Sequence, residues 1–217
     1  MSARPGPGNR RRRHADGAEP PDSTDLARLR RAAADCTGCA LHRDATRTVF
    51  GEGPSRAEIL VAGEQPGDQE DEQGKPFVGP AGRLLDAALA ETGFEREALY
   101  LTNAVKHFKF TERGKRRIHE KPSRAEVVAC RPWLVAELRA VRPRLVLLLG
   151  ATAAQSVYGS SFRLTKHRGE RLDPPPDLAG LFGAAVVTVH PSAVLRAPDR
   201  ETARAEFVAD LEAARAV

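Results

Sequence analysis

Side chains capable of acid–base or hydrogen-bonding chemistry follow four short apolar runs of the sequence. The first run leads into Glu64-Gln-Pro-Gly-Asp68, and the second ends on Asn103. The third is followed by Gly150-Ala-Thr152 and the fourth by His190-Pro-Ser192. Carboxylates, amides and an imidazole at one rim form a better site signal than any of them alone. By themselves they indicate only that a polar ligand binds there.

Three cysteines provide a second set of reactive side chains. Cys36 and Cys39 have the spacing of a zinc half-site, a redox pair or half of an iron-sulfur site, and the spacing alone does not choose among these. With only Cys130 remaining, an all-cysteine cluster site is impossible within one chain. The odd number, and the lack of an apolar secretory or membrane-spanning run, argue against a disulfide framework. We therefore expect a cytoplasmic protein with thiols free for metal and no membrane contact.

The elements that position these residues alternate between strand and helix patterns. Short apolar runs rich in β-branched residues predict buried parallel strands at residues 59–63, 99–103, 145–149 and 185–189. Helical patterns occupy residues 81–91, 124–141, 151–157 and 200–215, and an earlier one begins at Asp25. The alternation predicts an α/β fold, a single domain with a central four-stranded parallel sheet and helices on both faces. Function in such sheets gathers at the carboxyl ends of the strands.

The length of 217 residues predicts one domain, over residues 24–217. Residues 1–23 are rich in Gly, Pro, Ser and Arg, with a basic run at residues 10–13, and we expect them to form a disordered tail. A solvated tail is favoured over one that touches phosphates. The formal net charge of +5 permits binding to a polyanion without requiring it. Nothing in the sequence demands an oligomer, so we expect a monomer.

Four motifs together resemble the uracil-DNA glycosylase superfamily, and the similarity extends from Cys36 to the C-terminus. They are Gly63-Glu-Gln-Pro-Gly-Asp68, Lys75-Pro-Phe-Val-Gly-Pro-Ala-Gly82, Leu101-Thr-Asn-Ala-Val105 and His190-Pro-Ser192. The pattern is nearest the iron-sulfur-containing family 4 branch.

A later stretch, Lys115-Arg-Arg-Ile-His119, resembles the distinguishing insertion of the UdgX group within that superfamily. Members of this group bond a histidine of the loop covalently to the DNA sugar. Lys106-His-Phe-Lys-Phe110 also resembles the UdgX group, because ordinary family 4 enzymes carry a Cys where His107 stands.

The resemblance implies a [4Fe-4S] cluster with Cys36, Cys39, His107 and Cys130 as its ligands. Its role would be mainly structural, and metal binding would be coupled to folding. In the alternative interpretation, Cys130 is a buried helix residue and His107 a surface loop residue, and the cysteine pair binds zinc or nothing.

The resemblance also implies how uracil in DNA would be recognised, in a single strand or flipped from a duplex. Asn103 carries an amide that can both donate and accept, which suits uracil N3–H and O4 and rejects cytosine. Phe77 would stack on the base, and Gly67 would let the backbone approach it. Gln65 and Asp68 complete the substrate-binding set, Gln65 as pocket lining and Asp68 as support for the loop.

Cleavage of the N-glycosidic bond leaves negative charge on uracil and positive character on the sugar. His190 would donate to the charge that develops on uracil O2. Glu64 would hold and activate His119, which would then capture the sugar C1′ in a covalent adduct.

Basic residues beside His119 are predicted to contact DNA. Lys115, Arg116 and Arg117 would seek phosphates, and their charges would disfavour protonation of the neighbouring imidazole. Further expected DNA contacts are Ser192, Lys166, His167 and Arg168.

Three functions are compatible with these features. The favoured one is a UdgX-like protein that excises uracil and crosslinks to the DNA, and the second is a family 4 type glycosylase that turns over. The third, a non-catalytic nucleotide-binding or iron-sulfur redox module, gains nothing from Asn103 and His190 and lacks a dinucleotide or Walker-type phosphate loop. The first two differ at His119.

Overall fold

The computed structural model describes residues 17–216. The helices are α1 (Leu26–Ala34), α2 (Asp68–Gln73), α3 (Pro80–Glu91), α4 (Arg124–Val141), α5 (Ala151–Tyr158), α6 (Leu164–His167), α7 (Pro191–Arg196) and α8 (Arg200–Arg215). The strands are β1 (Ile59–Gly63), β2 (Tyr100–Asn103), β3 (Phe110–Arg113), β4 (Arg116–His119), β5 (Leu145–Leu149), β6 (Arg171–Leu172) and β7 (Ala184–Thr188). None of the helices in this part of the chain is both long and apolar enough to cross a membrane.

A five-stranded sheet forms the centre of the domain, in the order β2-β1-β5-β7-β6. The first four strands of this order run parallel, and the register pairs Gly63 with Asn103 at the ends of β1 and β2. The short strand β6 pairs antiparallel with β7 at one edge. The carboxyl ends of the four parallel strands therefore meet at the same rim, where the sequence places its polar residues.

The predicted α/β domain is confirmed, but its sheet has five strands instead of four. Hydrophobic periodicity misses β6 because this strand is only two residues long and one of them, Arg171, is exposed. A hairpin formed by β3 and β4 also lies outside the predicted elements. β2 and β7 begin at Tyr100 and Ala184, each one residue from its predicted start.

Alternate residues of the strands enter two hydrophobic cores on opposite faces of the sheet. Leu145, Leu147 and Leu149 of β5 belong to the core that includes α3, α7 and α8. Val146 and Leu148 of the same strand belong to the core that includes α4 and α5. A one-residue slip of β5 would exchange these faces, so burial on both sides fixes the register that aligns the strand ends.

A third hydrophobic cluster joins the N-terminal segment to α4, and it includes Leu29, Trp133 and Ala18. Ala18 is 7% exposed, and its N–H donates to the Ala129 carbonyl at 2.7 Å. Packing against the domain therefore begins inside the predicted tail and ahead of the predicted boundary at residue 24. The rest of the tail, residues 1–16, lies outside the described residues.

Candidate functional site

A cavity of about 410 Å³, called the site pocket below, opens at the carboxyl ends of the parallel strands. Its lining includes Glu64, Gln65, His119, Gly150 and His190. Residues that follow β1, β5 and β7 thus face one space, together with a histidine from the β3–β4 hairpin.

The inner end of the site is built around Gly63, the last residue of β1. A Cβ atom at this position would lie 2.5 Å from Asn103 Oδ1 and 2.7 Å from Phe77 Cζ. It would also lie 3.4 Å from His190 Nε2. The amide, the phenyl ring and the imidazole therefore converge over a glycine, and any side chain there would fill the space between them.

The Phe77 ring stands beside His190, with ring centroids 6.3 Å apart and an interplanar angle of 26°. Its backbone has φ 56°, a left-handed conformation that is unusual for a residue with a side chain. The Phe77 carbonyl packs closely against Gly82, where a Cβ would lie 1.9 Å from the carbonyl oxygen, so this position requires a glycine. Backbone strain of this kind is typical of functional sites.

A buried ion pair supports Asn103 from below. Lys106 Nζ donates to the Asn103 carbonyl at 2.7 Å, to Thr102 Oγ1 at 2.6 Å and to Glu137 Oε2 at 2.5 Å. Both charged side chains are 0% exposed. Glu137 also accepts from Tyr100 Oη at 3.2 Å, from the Thr102 hydroxyl at 3.0 Å and from the Gly51 N–H at 2.9 Å. The strand end that carries the amide is therefore fixed by a network in which every charge has partners.

Hydrogen bonds within the His190-Pro-Ser192 turn determine the tautomer of His190. The Ser192 N–H donates to Nδ1 at 3.2 Å, so Nδ1 carries the lone pair and Nε2 carries the proton of the neutral ring. Burial lowers the His190 pKa to about 4, with smaller contributions from the charges of His119 and Arg196. The ring is thus a neutral Nε2–H donor at pH 7. Ser192 binds this ring, and its contact with DNA stays a prediction.

His119 and Glu64 form the outer part of the site. His119 Nε2 lies 3.5 Å from Glu64 Oε1, and the two side chains are 48% and 21% exposed. The Thr152 hydroxyl donates to the other oxygen of Glu64. Burial lowers the His119 pKa, Glu64 opposes this effect, and Arg196 reinforces it. The largest cause of the lowered pKa of His119 is thus burial, whereas the sequence pointed to the neighbouring charges of Lys115, Arg116 and Arg117.

The β3–β4 hairpin that carries His119 is held to the loop after β1 by a glutamine. Gln65 Nε2 donates to the Lys109 and Glu120 carbonyls at 3.2 and 2.9 Å, and Gln65 Oε1 accepts from the Lys109 N–H at 3.2 Å. The amide of Gln65 thus binds both ends of the hairpin, and we call this arrangement the Gln65 clamp. Gln65 lines the site pocket as well.

Arg117 is a second tie between the hairpin and the loop after β1. Its guanidinium lies 2.5 Å from Asp68 and 2.6 Å from Asp71, and it covers the rings of Phe108 and Phe110 at 5.5 and 5.1 Å. These ion pairs give Arg117 a role in positioning the hairpin, and its contact with DNA stays a prediction.

Two other residues that were predicted to contact the substrate, Gly67 and Arg168, pack against acidic side chains of the protein. Gly67 is the N-cap residue of α2, where a Cβ would lie 2.7 Å from Glu70 Oε2, so the turn into this helix requires a residue without a side chain. Arg168 is paired with Glu206 and Asp210 at 2.7 and 2.6 Å, which argues against its predicted phosphate contact.

Four further residues predicted to contact DNA lie towards solvent. Lys115 and Arg116 are exposed at the hairpin turn, and Lys166 is exposed in α6. His167 contacts Glu170 at 2.9 Å.

The cysteines lie near one another without forming a complete metal site. Cys36 Sγ accepts from Trp133 Nε1 at 3.1 Å, and Cys130 Sγ accepts from the Lys106 N–H at 3.2 Å. Burial raises the Cys130 pKa to about 12, and the charges of Cys39 and Cys36 act in the same direction. Within residues 17–216, however, no three His, Cys, Asp or Glu side chains already converge as a metal-binding group.

The predicted fourth ligand, His107, has other partners. Its Nε2 lies 2.9 Å from Thr48 Oγ1, and burial lowers its pKa to about 4, with His42 acting in the same direction.

Sequence reasoning missed Gly63, Thr152 and Lys106 as members of the site. The first two stood within quoted strand-end segments, so their position was a usable signal. Lys106 offered a weaker signal, a lysine directly after the apolar pair Ala104-Val105, because only the fold brings Glu137 to it.

Comparison with known proteins gives consistent matches. The sequence profile of the Uracil DNA glycosylase superfamily matches residues 50–212, which include every strand of the sheet. The chain is 35% identical over 193 residues to the type-4 uracil-DNA glycosylase of Pyrobaculum aerophilum, covering 86% of this chain and 91% of that protein. It is 39% identical over 171 residues to the type-4 enzyme of Thermotoga maritima, covering 78% and 82%. The type-4 enzyme of Archaeoglobus fulgidus is 37% identical over 176 residues, with 79% and 84% covered.

Proposed function

The chain belongs to the uracil-DNA glycosylase superfamily, and from this we propose that it excises uracil from DNA and then retains the sugar in a covalent bond to His119. The substrate is uracil-containing DNA, either single-stranded or with the nucleotide flipped out of a duplex. The observation that carries the proposal is the placement of His119 beside Glu64 at the mouth of the site pocket.

Recognition of uracil is assigned to the residues that surround Gly63. The Asn103 side chain is 2% exposed, so a base that fails to match its donor and acceptor leaves buried polar groups unpaired. Cytosine has the inverted pattern and is rejected on this ground. Phe77 provides the apolar face against which the base stacks.

Bond cleavage is assigned to His190 acting at the base. The C1′–N1 bond breaks, its electron pair leaves with uracil, and the negative charge on O2 receives a hydrogen bond from His190 Nε2–H. A neutral donor suits this task, because the pKa of about 4 keeps the ring from carrying a second proton near neutral pH. Glu64 lies on the sugar side, where its charge stabilises the oxocarbenium-like carbon.

Capture of the sugar is assigned to His119. A ring nitrogen with a free lone pair forms the bond to C1′, and the remaining N–H proton of the ring passes to Glu64 or solvent, which leaves a neutral alkylated imidazole. The lowered pKa of His119 favours the neutral, nucleophilic ring.

The alternative is turnover, in which Glu64 activates a water molecule and abasic DNA is released. The identity of 35–39% to enzymes named type-4 uracil-DNA glycosylases favours this reading. The Thr152 hydrogen bond to Glu64 would orient the carboxylate equally well for a water molecule.

A denaturing gel separates these readings. The protein is incubated with a uracil-containing single-stranded oligonucleotide, boiled in detergent and analysed for a shifted band and for free uracil. We expect a shift that disappears in His119→Ser, with some uracil release regained.

The matched control is Ile118→Ser, which alters the neighbouring residue, 41% exposed, and keeps the shift. Uracil release without any shift would establish turnover, and no reaction at all would favour a non-catalytic module. A shift that survives in His119→Ser would exclude His119 as the nucleophile.

We further propose that Cys36, Cys39, Cys130 and His107 hold a [4Fe-4S] cluster. Three neighbouring thiols, two of which accept N–H donors, fit a thiolate-ligated metal, and the donor set also fits zinc. Ligation by His107 would replace its contact with Thr48. The cluster would supply a structural link between the N-terminal segment and α4. Elemental analysis of anaerobically prepared protein tests this, with iron and visible absorption expected, and zinc or no metal contradicting it.

A further inference from the structure

A groove of about 520 Å³ lies directly beside the site pocket, between α4 and α5. Thr152 and Gln155 line this flanking groove, and Gln155 lines the site pocket as well. The groove is therefore continuous with the place where the target nucleotide is proposed to bind, and its volume is typical of a site for a small organic ligand.

Part of the lining of the flanking groove is apolar, and it includes one aromatic ring. Val127, Val128 and Tyr158 line it. Val128 is 59% exposed and is one of two large hydrophobic side chains that are exposed in the described chain. Tyr158 stacks on Phe162 at 5.0 Å, and Phe162 in turn lines the site pocket. Two stacked rings, one in each cavity, thus connect the flanking groove to the site pocket.

The flanking groove carries net positive charge, because its one acidic lining residue among those described, Asp177, is paired with Arg131. Lys121 and Arg124 line it, both are exposed, and neither forms an ion pair within residues 17–216. In the site pocket, Arg163 and Arg196 are likewise exposed without an acidic partner in the described chain. An occupant should therefore be an anion that also presents flat apolar surfaces.

Single-stranded nucleic acid meets this description, since bases stack on aromatic side chains while phosphates follow a basic groove. The N-terminal residues 1–16, which include the basic run at residues 10–13, have the wrong charge for this groove. A second copy of the chain, with a formal charge of +5, is disfavoured in the same way.

We propose that the flanking groove binds the nucleotides next to the target uracil, on one side of it, in single-stranded DNA. A base packs on Val128 and the Tyr158 ring, and the adjoining phosphates meet Lys121 and Arg124. This inference rests on the proposed function, because it requires uracil in the site pocket.

The test compares three single-stranded oligonucleotides: a short core in which the nucleotides beside uracil lack bases, the core extended with bases on the 5′ side, and the core extended with bases on the 3′ side. Uracil release is measured under single-turnover conditions, with protein in excess of DNA but below the concentration that saturates it. One extension, and not the other, should raise the rate on the order of tenfold, as expected for stacking of a single base.

The variant Val128→Glu introduces a charge at an exposed position and should abolish this gain without changing the rate on the short core. The control Ala27→Glu makes the same charge change on the exposed face of α1 and should keep the gain. The double variant Lys121→Gln with Arg124→Gln removes two predicted phosphate contacts. The slope of log affinity against log salt concentration, measured on the extended substrate, should therefore become less steep by about two.

Three results would overturn the inference: equal rates on all three oligonucleotides, an equal loss on core and extended substrates in Val128→Glu, or a gain that disappears only when residues 1–16 are removed. Failure of the proposed function is distinguishable, because the short core would then yield neither free uracil nor adduct.

Discussion

Replacement of Lys106 by methionine tests the ion pair beneath the base-recognition site. The change removes the ammonium group and leaves the Glu137 carboxylate fully buried without a cation. Breaking a buried pair in this way costs about 3–5 kcal/mol of the free energy of unfolding. The remaining donors, including the Gly51 N–H and Tyr100 Oη, reduce this loss without removing it, so we expect about 3 kcal/mol.

Equilibrium urea denaturation measures this loss. The matched control is Lys109→Met, which removes a lysine from a pair with Glu126 at 3.0 Å that is partly open to solvent and should lower stability by about 1 kcal/mol or less. The double variant Lys106→Met with Glu137→Gln contains no unpaired buried charge and should be less destabilised than Lys106→Met alone. The reasoning is refuted if Lys106→Met is as stable as Lys109→Met, or if the second substitution adds to the loss.

Three further outcomes are expected. Gly63→Ala places a methyl group 2.5 Å from Asn103 Oδ1, so uracil release in a single-turnover assay should fall about a hundredfold or more while thermal unfolding shows a folded protein; normal activity would contradict the assigned base site. His190, with a pKa of about 4 in the folded protein against 6.5 for the free side chain, stays neutral as pH falls towards 5, so uracil release should persist there. Stability, in contrast, should decline from about pH 6.5 towards pH 4, since only the unfolded chain takes up the proton; a fall in release centred at pH 6.5 that disappears in His190→Asn would contradict this. Arg117→Gln removes the charge that ties the hairpin to the loop, and should lower the yield of adduct relative to free uracil about tenfold on the gel, whereas Arg116→Gln on the exposed side should not.

The main sheet was predictable from sequence because its four parallel strands consist mainly of buried apolar residues. Strands β1 and β5 are covered on both faces of the sheet. A strand of this kind appears in the sequence as a short run of apolar residues. β6 has only two residues, and the β3–β4 hairpin is made largely of exposed polar residues, so neither appears as an apolar run. Hairpin pairing depends on local turn geometry and on side chains elsewhere in the chain.

The strand-end residues of the site were predictable for a related reason, since parallel strands bring their carboxyl ends to one rim. The resemblance also implied the pairing of Glu64 with His119, which lie 3.5 Å apart, but other side-chain pairings were not predictable. Arg117 looked like a DNA contact because its neighbours are basic, but the fold places it against Asp68 and Asp71. Long-range ion pairs of this kind depend on how separate elements pack, which no local pattern records.

The Gln65 clamp makes the β3–β4 hairpin a self-contained insertion in the domain. Its two ends already meet, since the Glu120 N–H donates to the Lys109 carbonyl at 2.9 Å, and one glutamine holds both. Residues 110–119 could therefore be gained or lost in evolution through a short turn, without rebuilding the floor around Gly63. In the proposed reaction, the residues that recognise the base would then evolve independently of the hairpin histidine that bonds to the sugar.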